Sequence, residues 1–430
     1  MTEPFRVAIA GLGTVGAGVV EILQSNAAQV AMRAGRPVEI VAVNARDKAK
    51  ERGVDVSAYE WVDDAAGLAG VEADAVIELI GGSDGPAYDL VKAALAGGKH
   101  VVSANKALLA HHGTELATLA EGHGVSLNYE AAVAGGIPII KAAREGLAGN
   151  KMSAVYGILN GTSNFILTKM RESGRDFDDV LKEAQDLGYA EADPTFDVDG
   201  VDAGHKICLL ASIAFGVQPE FNKVRMRGIR EVTSADINFA AEFGYRIKLL
   251  GIAKDRDGLI NITVEPCLVP EATPLGTVEN AYNAVVVKGD FVDTPLLTGL
   301  GAGRGPTASA VVADIIDLAR GLHVPTFGIP AKALKKPDFI DPATIKQHYY
   351  LRLTVTDQPG VIADVSAILR DHDASIESMV QHGRDPGQPV SVVLVTHDVK
   401  RGDIEAACEE ISKLKSCLEK PYLMRIEHQL

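Results

Sequence analysis

Asp202 and Lys206 stand four residues apart at the end of the stretch Gly188-Tyr189-Ala190-Glu191-Ala192-Asp193-Pro194-Thr195-Phe196-Asp197-Val198-Asp199-Gly200-Val201-Asp202-Ala203-Gly204-His205-Lys206, which carries five carboxylates. That spacing puts both groups on one helix face, in the acid-before-lysine order that an ordinary solvated ion pair also adopts. The apolar run 207–213 follows directly, so the helix is expected to be largely buried and Lys206 to face a cleft rather than open water. A lysine so placed can shift its pKa and act as a general acid. Lys106 closes the tetrapeptide Ser103-Ala104-Asn105-Lys106 after a strand-like run. The carboxyl edge of an open α/β sheet is where ligands bind, which makes Lys106 a second candidate, although a surface lysine fits the same pattern.

The motif Gly11-Leu12-Gly13-Thr14-Val15-Gly16 lies directly after the strand-like run 6–10 and directly before a helical pattern. The first glycine permits a tight turn, the second lets backbone approach a pyrophosphate, and the third lets helix and strand pack closely. The helix N-terminus adds free N–H groups and partial positive charge. At the tip of the second strand, where an NAD site usually places an acid on the ribose hydroxyls, the chain reads Asn44-Ala45-Arg46-Asp47-Lys48. Arg46, with Lys48 nearby, can pair with a 2′-phosphate and favours NADP; Asp47 leaves NAD possible, and a solvated basic turn is the alternative. Gly81-Gly82-Ser83-Asp84-Gly85 matches the GxSxG elbow of hydrolases, but no suitable acid and histidine are evident downstream. Its position suits small residues such as Ser83 beside a cofactor instead. Neither GxxxxGK[ST] nor HExxH occurs.

The elements that must position these residues follow a βα rhythm. Residues 6–10, 38–43, 73–79, 100–103 and 125–129 read as buried parallel strands, with helical spacing at 15–29 and 87–96. That is a doubly wound α/β domain over 1–130. A second, α+β unit is expected over 131–328, with helices at 177–187 and 201–215 and strands at 154–159, 249–253, 260–269 and 284–288. A helix at 307–322 is expected to bring 305–325 back onto the first domain, and 329–347, rich in Lys and Pro, reads as a linker. In 348–430 a strand at 349–355, a helix at 361–371, a strand at 390–396 and a helix at 401–418 suggest a small β-α-β-β-α-β sandwich.

Composition bounds the partners. The chain has 430 residues and a formal charge of -15, which argues against nucleic acid or anionic membranes as partners, so an anionic ligand must be held locally. No apolar run approaches the roughly 18 to 20 residues of a bilayer span, and the N-terminus carries no secretion signal. Cys208, Cys267, Cys408 and Cys417 have no CxxC or ligand spacing, which fits a reducing cytoplasm.

Taken together these motifs resemble the homoserine dehydrogenase family. The resemblance spans the whole chain, through GLGTVG, Ala104-Asn105-Lys106, Asn160-Gly161-Thr162-Ser163-Asn164, the 188–206 segment, Gly301-Ala302-Gly303 and Pro306-Thr307-Ala308-Ser309. It implies a Rossmann nucleotide-binding domain, an α+β catalytic and dimerisation domain and a C-terminal ferredoxin-like ACT domain. It also implies reduction of L-aspartate 4-semialdehyde to L-homoserine, with Lys206 as proton donor and Lys106 as a second essential lysine near nicotinamide and substrate. Glu191 and Asp202 would then hold the substrate ammonium, Gly188 and Asp197 would complete the substrate site, and Gly303 would border the cofactor. The family binds a monovalent cation, usually sodium. By this resemblance its ligands here are the Glu130 carboxylate and the carbonyls of Val133, Gly135 and Ile137, all hard oxygens. The tail, with Asp357-Gln358-Pro359-Gly360 at a strand-to-helix turn, resembles an ACT domain, which implies a homodimer or homotetramer and threonine as effector; a domain that only dimerises is the alternative. Two rival functions remain. A semialdehyde-oxidising enzyme would need Cys208 as a nucleophile, and a non-catalytic dinucleotide sensor would not need Lys206.

Overall fold

The computed structural model describes residues 3–190, 192–383 and 387–428. Six parallel strands, β1 (Phe5–Ala10), β2 (Val38–Asn44), β3 (Glu60–Trp61), β4 (Ala75–Glu78), β5 (His100–Ser103) and β6 (Leu127–Asn128), lie in the order β3-β2-β1-β4-β5-β6. In β1 the run Val7, Ala8, Ile9 and Ala10 is fully buried, as a strand covered on both faces requires. The order reverses between β1 and β4, and the carboxyl ends of the strands open a crevice there. The helical stretch expected at 15–29 is two helices, Thr14–Ser25 and Ala27–Ala34, broken at Asn26.

The helix Arg304–Ala319 packs on Thr14–Ser25. Gly18 makes that crossing close, since a Cβ there would come 2.8 Å from the Arg304 carbonyl oxygen.

All the longer strands that remain form one sheet. Leu296–Leu300, Tyr282–Gly289, Met152–Ile158, Tyr245–Arg256 and Leu259–Pro270 are antiparallel neighbours in that order. The helix Val201–Phe215, buried from Asp202 to Ile213, lies against it. The sheet then continues through Tyr422–Ile426, Tyr349–Thr356, Pro389–Thr396 and Ile376–Gln381, the strands of the C-terminal β-α-β-β-α-β unit with its helices Val361–Asp371 and Arg401–Ile411. The join is a parallel pairing of Cys267 with Arg425 and Leu268 with Ile426. The expected β-α-β-β-α-β order is present, and its sheet is continuous with that of the catalytic domain.

Residues 329–347, expected as a linker, are likewise built into the body. Ala331 and Leu334 are buried, Asp338–Phe339 pairs with Leu259–Ile260, and Lys346–Gln347 pairs with Val399–Lys400. Apolar side chains in a Lys- and Pro-rich segment are what hold it down.

Candidate active site

The glycine turn behaves as its three positions require. Gly11 has φ +96°, and a Cβ there would lie 2.6 Å from the Leu79 carbonyl oxygen; a Cβ on Gly16 would lie 2.0 Å from the Gly11 carbonyl oxygen. At Gly13 a Cβ would meet nothing within 4 Å, so that face is open for a ligand. Gly13 is the N-cap of Thr14–Ser25 and no side chain caps this end, which leaves the first-turn N–H groups of Thr14, Val15 and Gly16 available to a pyrophosphate.

The crevice above this turn has a volume of about 750 Å³ and is bordered by Gly11, Gly13, Arg46, Lys50, Arg52 and Gly81. Asn44 stands at the β2 tip, where its amide donates to the Val62 and Asp63 carbonyls at 2.8 and 3.1 Å. Arg46 is exposed on the rim. Lys48 turns away to lie 5.5 Å from the Trp61 ring centre, and Arg52, which the sequence did not single out, joins the lining instead. Its guanidinium donates to the carbonyls of Leu12 at 3.1 Å, of Lys50 at 2.5 Å and of Asp47, lacing the glycine turn to the basic loop.

The Ser83 hydroxyl donates to Asp84 at 2.7 Å, and His112 meets the other Asp84 oxygen at 2.9 Å. A hydrolytic triad needs the imidazole between serine and carboxylate; here the carboxylate is in the middle and the serine is not activated. Gly303, with φ +117°, opens the returning helix, and the adjacent Arg304 donates to the Arg52 carbonyl at 3.4 Å.

From the crevice a chain of bonds leads to the lysines. Glu78, fully buried at the end of β4, accepts from the N–H groups of Ile80 and Gly81 at 2.8 and 3.1 Å and from the Ser103 hydroxyl at 2.6 Å. Asn105 donates to the Gly82 carbonyl at 2.6 Å and caps the helix Lys106–Gly122 by accepting from Leu108 N–H. Lys106, the first residue of that helix, reaches Asp202 Oδ1 at 3.2 Å, and Lys206 Nζ lies 2.7 Å from Asp202 Oδ2. One carboxylate thus bridges two ammonium groups.

The bridge is dry. Asp202 is 5% and Lys206 8% exposed, so a solvated surface pair is not what the helix carries. Lys206 also donates to the Leu159 carbonyl at 2.7 Å, and Asn160 donates to Asp202 at 2.9 Å and to Asp197 at 2.7 Å. Burial, reinforced by the nearby charge of Lys106, lowers the Lys206 pKa despite the opposing pull of Asp202. Burial alone would raise the Asp202 carboxyl, but Lys206 and Lys106 hold it well below the ordinary carboxylate range. Burial, with Asp202 nearby, raises Asp197.

Gly188, at φ +77°, follows the helix Phe177–Asp186 and precedes Tyr189, whose carbonyl accepts from Thr162 at 2.7 Å. Glu191 lies outside the described residues. The sequence reading assigned no role to two positioning residues. Glu78 is an acid ending an apolar strand, a signal that could have found it, and Asn160 heads a helix it caps through Ser163 N–H. Cys208 is fully buried and burial pushes its thiol up to about 12, the reverse of what a nucleophilic thiolate needs.

In the loop after β6, Ala134 and Gly135 both take positive φ, 55° and 49°, and Val133, Gly135 and Ile137 are buried. Among the described residues no N–H donates to the carbonyls of Val133 or Gly135, while that of Ile137 accepts from Ile139 at 2.7 Å. Both Glu130 oxygens accept backbone N–H groups, of Ile140 at 2.9 Å and Lys141 at 2.8 Å. Burial and the neighbouring Asp314 push its carboxyl up to about 7. Among the described residues no group of three or more His, Cys, Asp or Glu is placed to hold a metal ion.

A glycine-turn crevice on a doubly wound sheet, leading to a lysine–aspartate–lysine bridge around the buried Asp202, defines a nicotinamide-dependent oxidoreductase. Family models agree on which. Residues 11–130 match the homoserine dehydrogenase NAD-binding domain, 138–316 the homoserine dehydrogenase domain and 349–416 the ACT domain. Homoserine dehydrogenases of Neisseria gonorrhoeae and Pseudomonas aeruginosa are each 44% identical, over 98% and 99% of both chains respectively. The crystal structure of a homoserine dehydrogenase from Thiobacillus denitrificans superposes with a TM-score of 0.94 at 44% identity, over 99% of each chain. A hyperthermophilic archaeal homoserine dehydrogenase in complex with NADPH, 28% identical with a TM-score of 0.63, covers 73% of this chain with 97% of its own. This chain belongs to the homoserine dehydrogenase family.

Proposed function

We propose that this chain reduces L-aspartate 4-semialdehyde to L-homoserine with NADPH as preferred donor, Lys206 delivering the proton. The observation that carries the reading is the buried Asp202 carboxylate shared by Lys206 and Lys106. When bound, the nicotinamide supplies a hydride to the aldehyde carbon. As negative charge builds on the oxygen, Lys206 neutralises it: two of its three N–H bonds are held by Asp202 and Leu159, which leaves one for the substrate. Loss of that proton completes the alcohol, and burial, which already lowers the lysine's pKa, makes the transfer easier. Asp202, with Glu191, meets the substrate ammonium, while Asp197 and Gly188 border it and Lys106 holds the far side of the carboxylate.

Gly11, Gly13, Thr14, Val15 and Gly16 seat the pyrophosphate, with Ser83, Lys106 and Gly303 toward the nicotinamide end. Arg46, with Lys50 and Arg52 in the same crevice, favours a 2′-phosphate, and β2 ends on Asn44 rather than an acid; Asp47, in the same lining, keeps NADH as a second donor. NADPH in the archaeal relative supports the same choice. The loop of Glu130, Val133, Gly135 and Ile137 fits a monovalent cation such as sodium, because it offers one carboxylate and buried carbonyls, two of them without an N–H partner among the described residues. The C-terminal unit takes threonine as effector. Assembly as a homodimer or homotetramer is supported by the open edge strand Leu296–Leu300 and the exposed Phe291 and Tyr282 beside it. Cysteines without disulfides suit a cytoplasmic location.

The test follows NADPH and NADH absorbance with aspartate semialdehyde, with and without threonine. Absence of turnover removes the reading, and a preference for NADH removes the role given to Arg46.

A further inference from the structure

Phe196 is 43% exposed and stands in the short helix Thr195–Val198, beside charged groups rather than in the core. Its backbone is nonetheless fixed. The Ser163 hydroxyl donates to the Asp197 carbonyl at 3.0 Å, and Arg230 donates to Thr195 Oγ1 at 3.3 Å and to Asp199 Oδ1 at 2.6 Å. The Phe196 ring stacks on His205, with centres 5.6 Å apart and planes 25° from parallel. Lys106 Nζ lies over the same ring, 5.7 Å from its centre, within the distance at which an aromatic face attracts an ammonium.

His205 directly precedes the proton donor and is only 4% exposed. It also stacks on Phe221, with centres 4.0 Å apart and planes 13° from parallel. Phe221 meets His111 edge to face at 5.1 Å, and His111 belongs to the helix Lys106–Gly122. The rings therefore close a circuit. It runs from the helix of Lys106 through His111, Phe221 and His205 to the helix of Lys206, and back through Phe196 to the Lys106 ammonium.

An imidazole beside two lysines invites an acid–base role, and its surroundings argue against one. Its Nδ1 is buried and hydrogen-bonds no side chain among the described residues. Burial, with His111 and Lys106 adding to it, pushes its pKa down to about 4, so near pH 7 the ring is neutral. What it offers is a flat, uncharged face for the two phenyl rings. Lys106 is then held by two groups, Asp202 Oδ1 at 3.2 Å and the Phe196 ring. Without the ring, a long and partly exposed lysine side chain is free to swing into water. Its charge on the bridge is one of the causes that lower the Lys206 pKa, so a swinging Lys106 lowers it less.

We propose that Phe196, backed by His205, is a positioning residue: its ring holds the Lys106 ammonium on Asp202 and so keeps both lysines in the arrangement the reduction uses. The catalytic part of this rests on the reading of the chain as an aspartate-semialdehyde reductase. The test compares the full-length wild type with Phe196→Leu, Phe196→Tyr, His205→Ala and His205→Phe. Three quantities are measured: kcat and KM, the alkaline limb of the reductive pH profile, and the rate at which dilute acetic anhydride acetylates Lys106, read by peptide mass. Lys206 faces Asp202 and Asp197 besides Lys106, and none of these variants replaces either carboxylate.

Phe196→Leu keeps apolar bulk but loses the aromatic face. It should lower kcat about three- to tenfold, move the limb to higher pH and speed Lys106 acetylation about threefold or more, at an unchanged melting temperature. Phe196→Tyr, which keeps the ring, should restore the wild-type values. His205→Phe preserves the stack and should follow wild type, while His205→Ala follows Phe196→Leu. A Phe196→Leu variant with the wild-type limb and wild-type acetylation overturns the proposal. So does a His205→Phe variant that falls as far as His205→Ala, since the imidazole nitrogens would then be what matters. A wild type whose Lys106 acetylation responds to Phe196→Leu, but which does not turn over aspartate semialdehyde, removes the proposed function and leaves the clamp standing. Phe196 is exposed, so its variants decide the question even if His205→Ala fails to fold.

Discussion

At Lys206 two of the three ammonium hydrogens are committed, to Asp202 and to the Leu159 carbonyl, and burial has already lowered its pKa. Replacing it with Met removes the proton donor without opening a large void. Steady-state kinetics should show kcat falling by about 10² to 10⁴ with KM for the semialdehyde little changed. The sign of the pH dependence follows from the same group. Reduction needs Lys206 protonated, so its rate should decline as pH rises through a lysine pKa below 10.5, while homoserine oxidation rises over the same range. Lys106 contributes to that lowering, and Lys106→Met removes a positive charge from the bridge. The alkaline limb of the reductive profile should then move to higher pH; an unmoved limb would separate the two lysines.

Among the elements, the glycine turn separates ligand space from folding space. Gly16→Ala places a Cβ 2.0 Å from the Gly11 carbonyl oxygen, so both thermal stability and cofactor KM should suffer. Gly13→Ala meets nothing in the protein, and its backbone is extended, at φ -75° and ψ -159°. Its stability should stay within about 0.5 kcal/mol of wild type while KM for NADPH rises about tenfold or more. A Gly13→Ala variant with unchanged KM would place the pyrophosphate elsewhere. The loop of Glu130, Val133, Gly135 and Ile137 carries its own test. Replacing sodium with choline at constant ionic strength should lower the melting temperature of wild type, by mass action on a cation bound only by the folded form, and leave Glu130→Gln less affected.

Over the whole molecule, one sheet runs through the catalytic domain and the C-terminal unit, and buried charges tie the two. Asp236, fully buried, accepts from the Tyr350 hydroxyl and from Arg352 Nε, both at 2.8 Å. Glu265 lies 3.2 Å from Arg401, and Lys254 lies 3.0 Å from Glu427. Deleting 349–430 would strand three buried charges and unpair the strand Leu259–Pro270 at Cys267 and Leu268. Each unpaired buried charge costs about 3 to 5 kcal/mol, so the truncated chain should melt well below wild type or aggregate rather than yield a desensitised enzyme. Thermal unfolding followed by circular dichroism decides the matter, and an unchanged transition would mean two independent units.

Sequence alone determined whatever rests on local geometry. The Gly11 to Gly16 spacing fixes a turn between strand and helix, because at Gly11 and Gly16 only a residue without a Cβ fits, and the four-residue step from Asp202 to Lys206 fixes a shared helix face. The fold classes of the three parts followed from periodicity for the same reason. Tertiary structure decided what depends on residues far apart in the chain. Lys106 and Asp202 are 96 positions apart and meet only because β5 ends where the helix Val201–Phe215 begins. The burial that turns an ordinary ion pair into a lowered lysine comes from that meeting. Arg52 enters the crevice, and residues 329–347 become part of the body, through contacts that no local pattern encodes. The continuity of the C-terminal sheet with the catalytic one is decided the same way, by the pairing of Cys267 and Leu268 with Arg425 and Ile426.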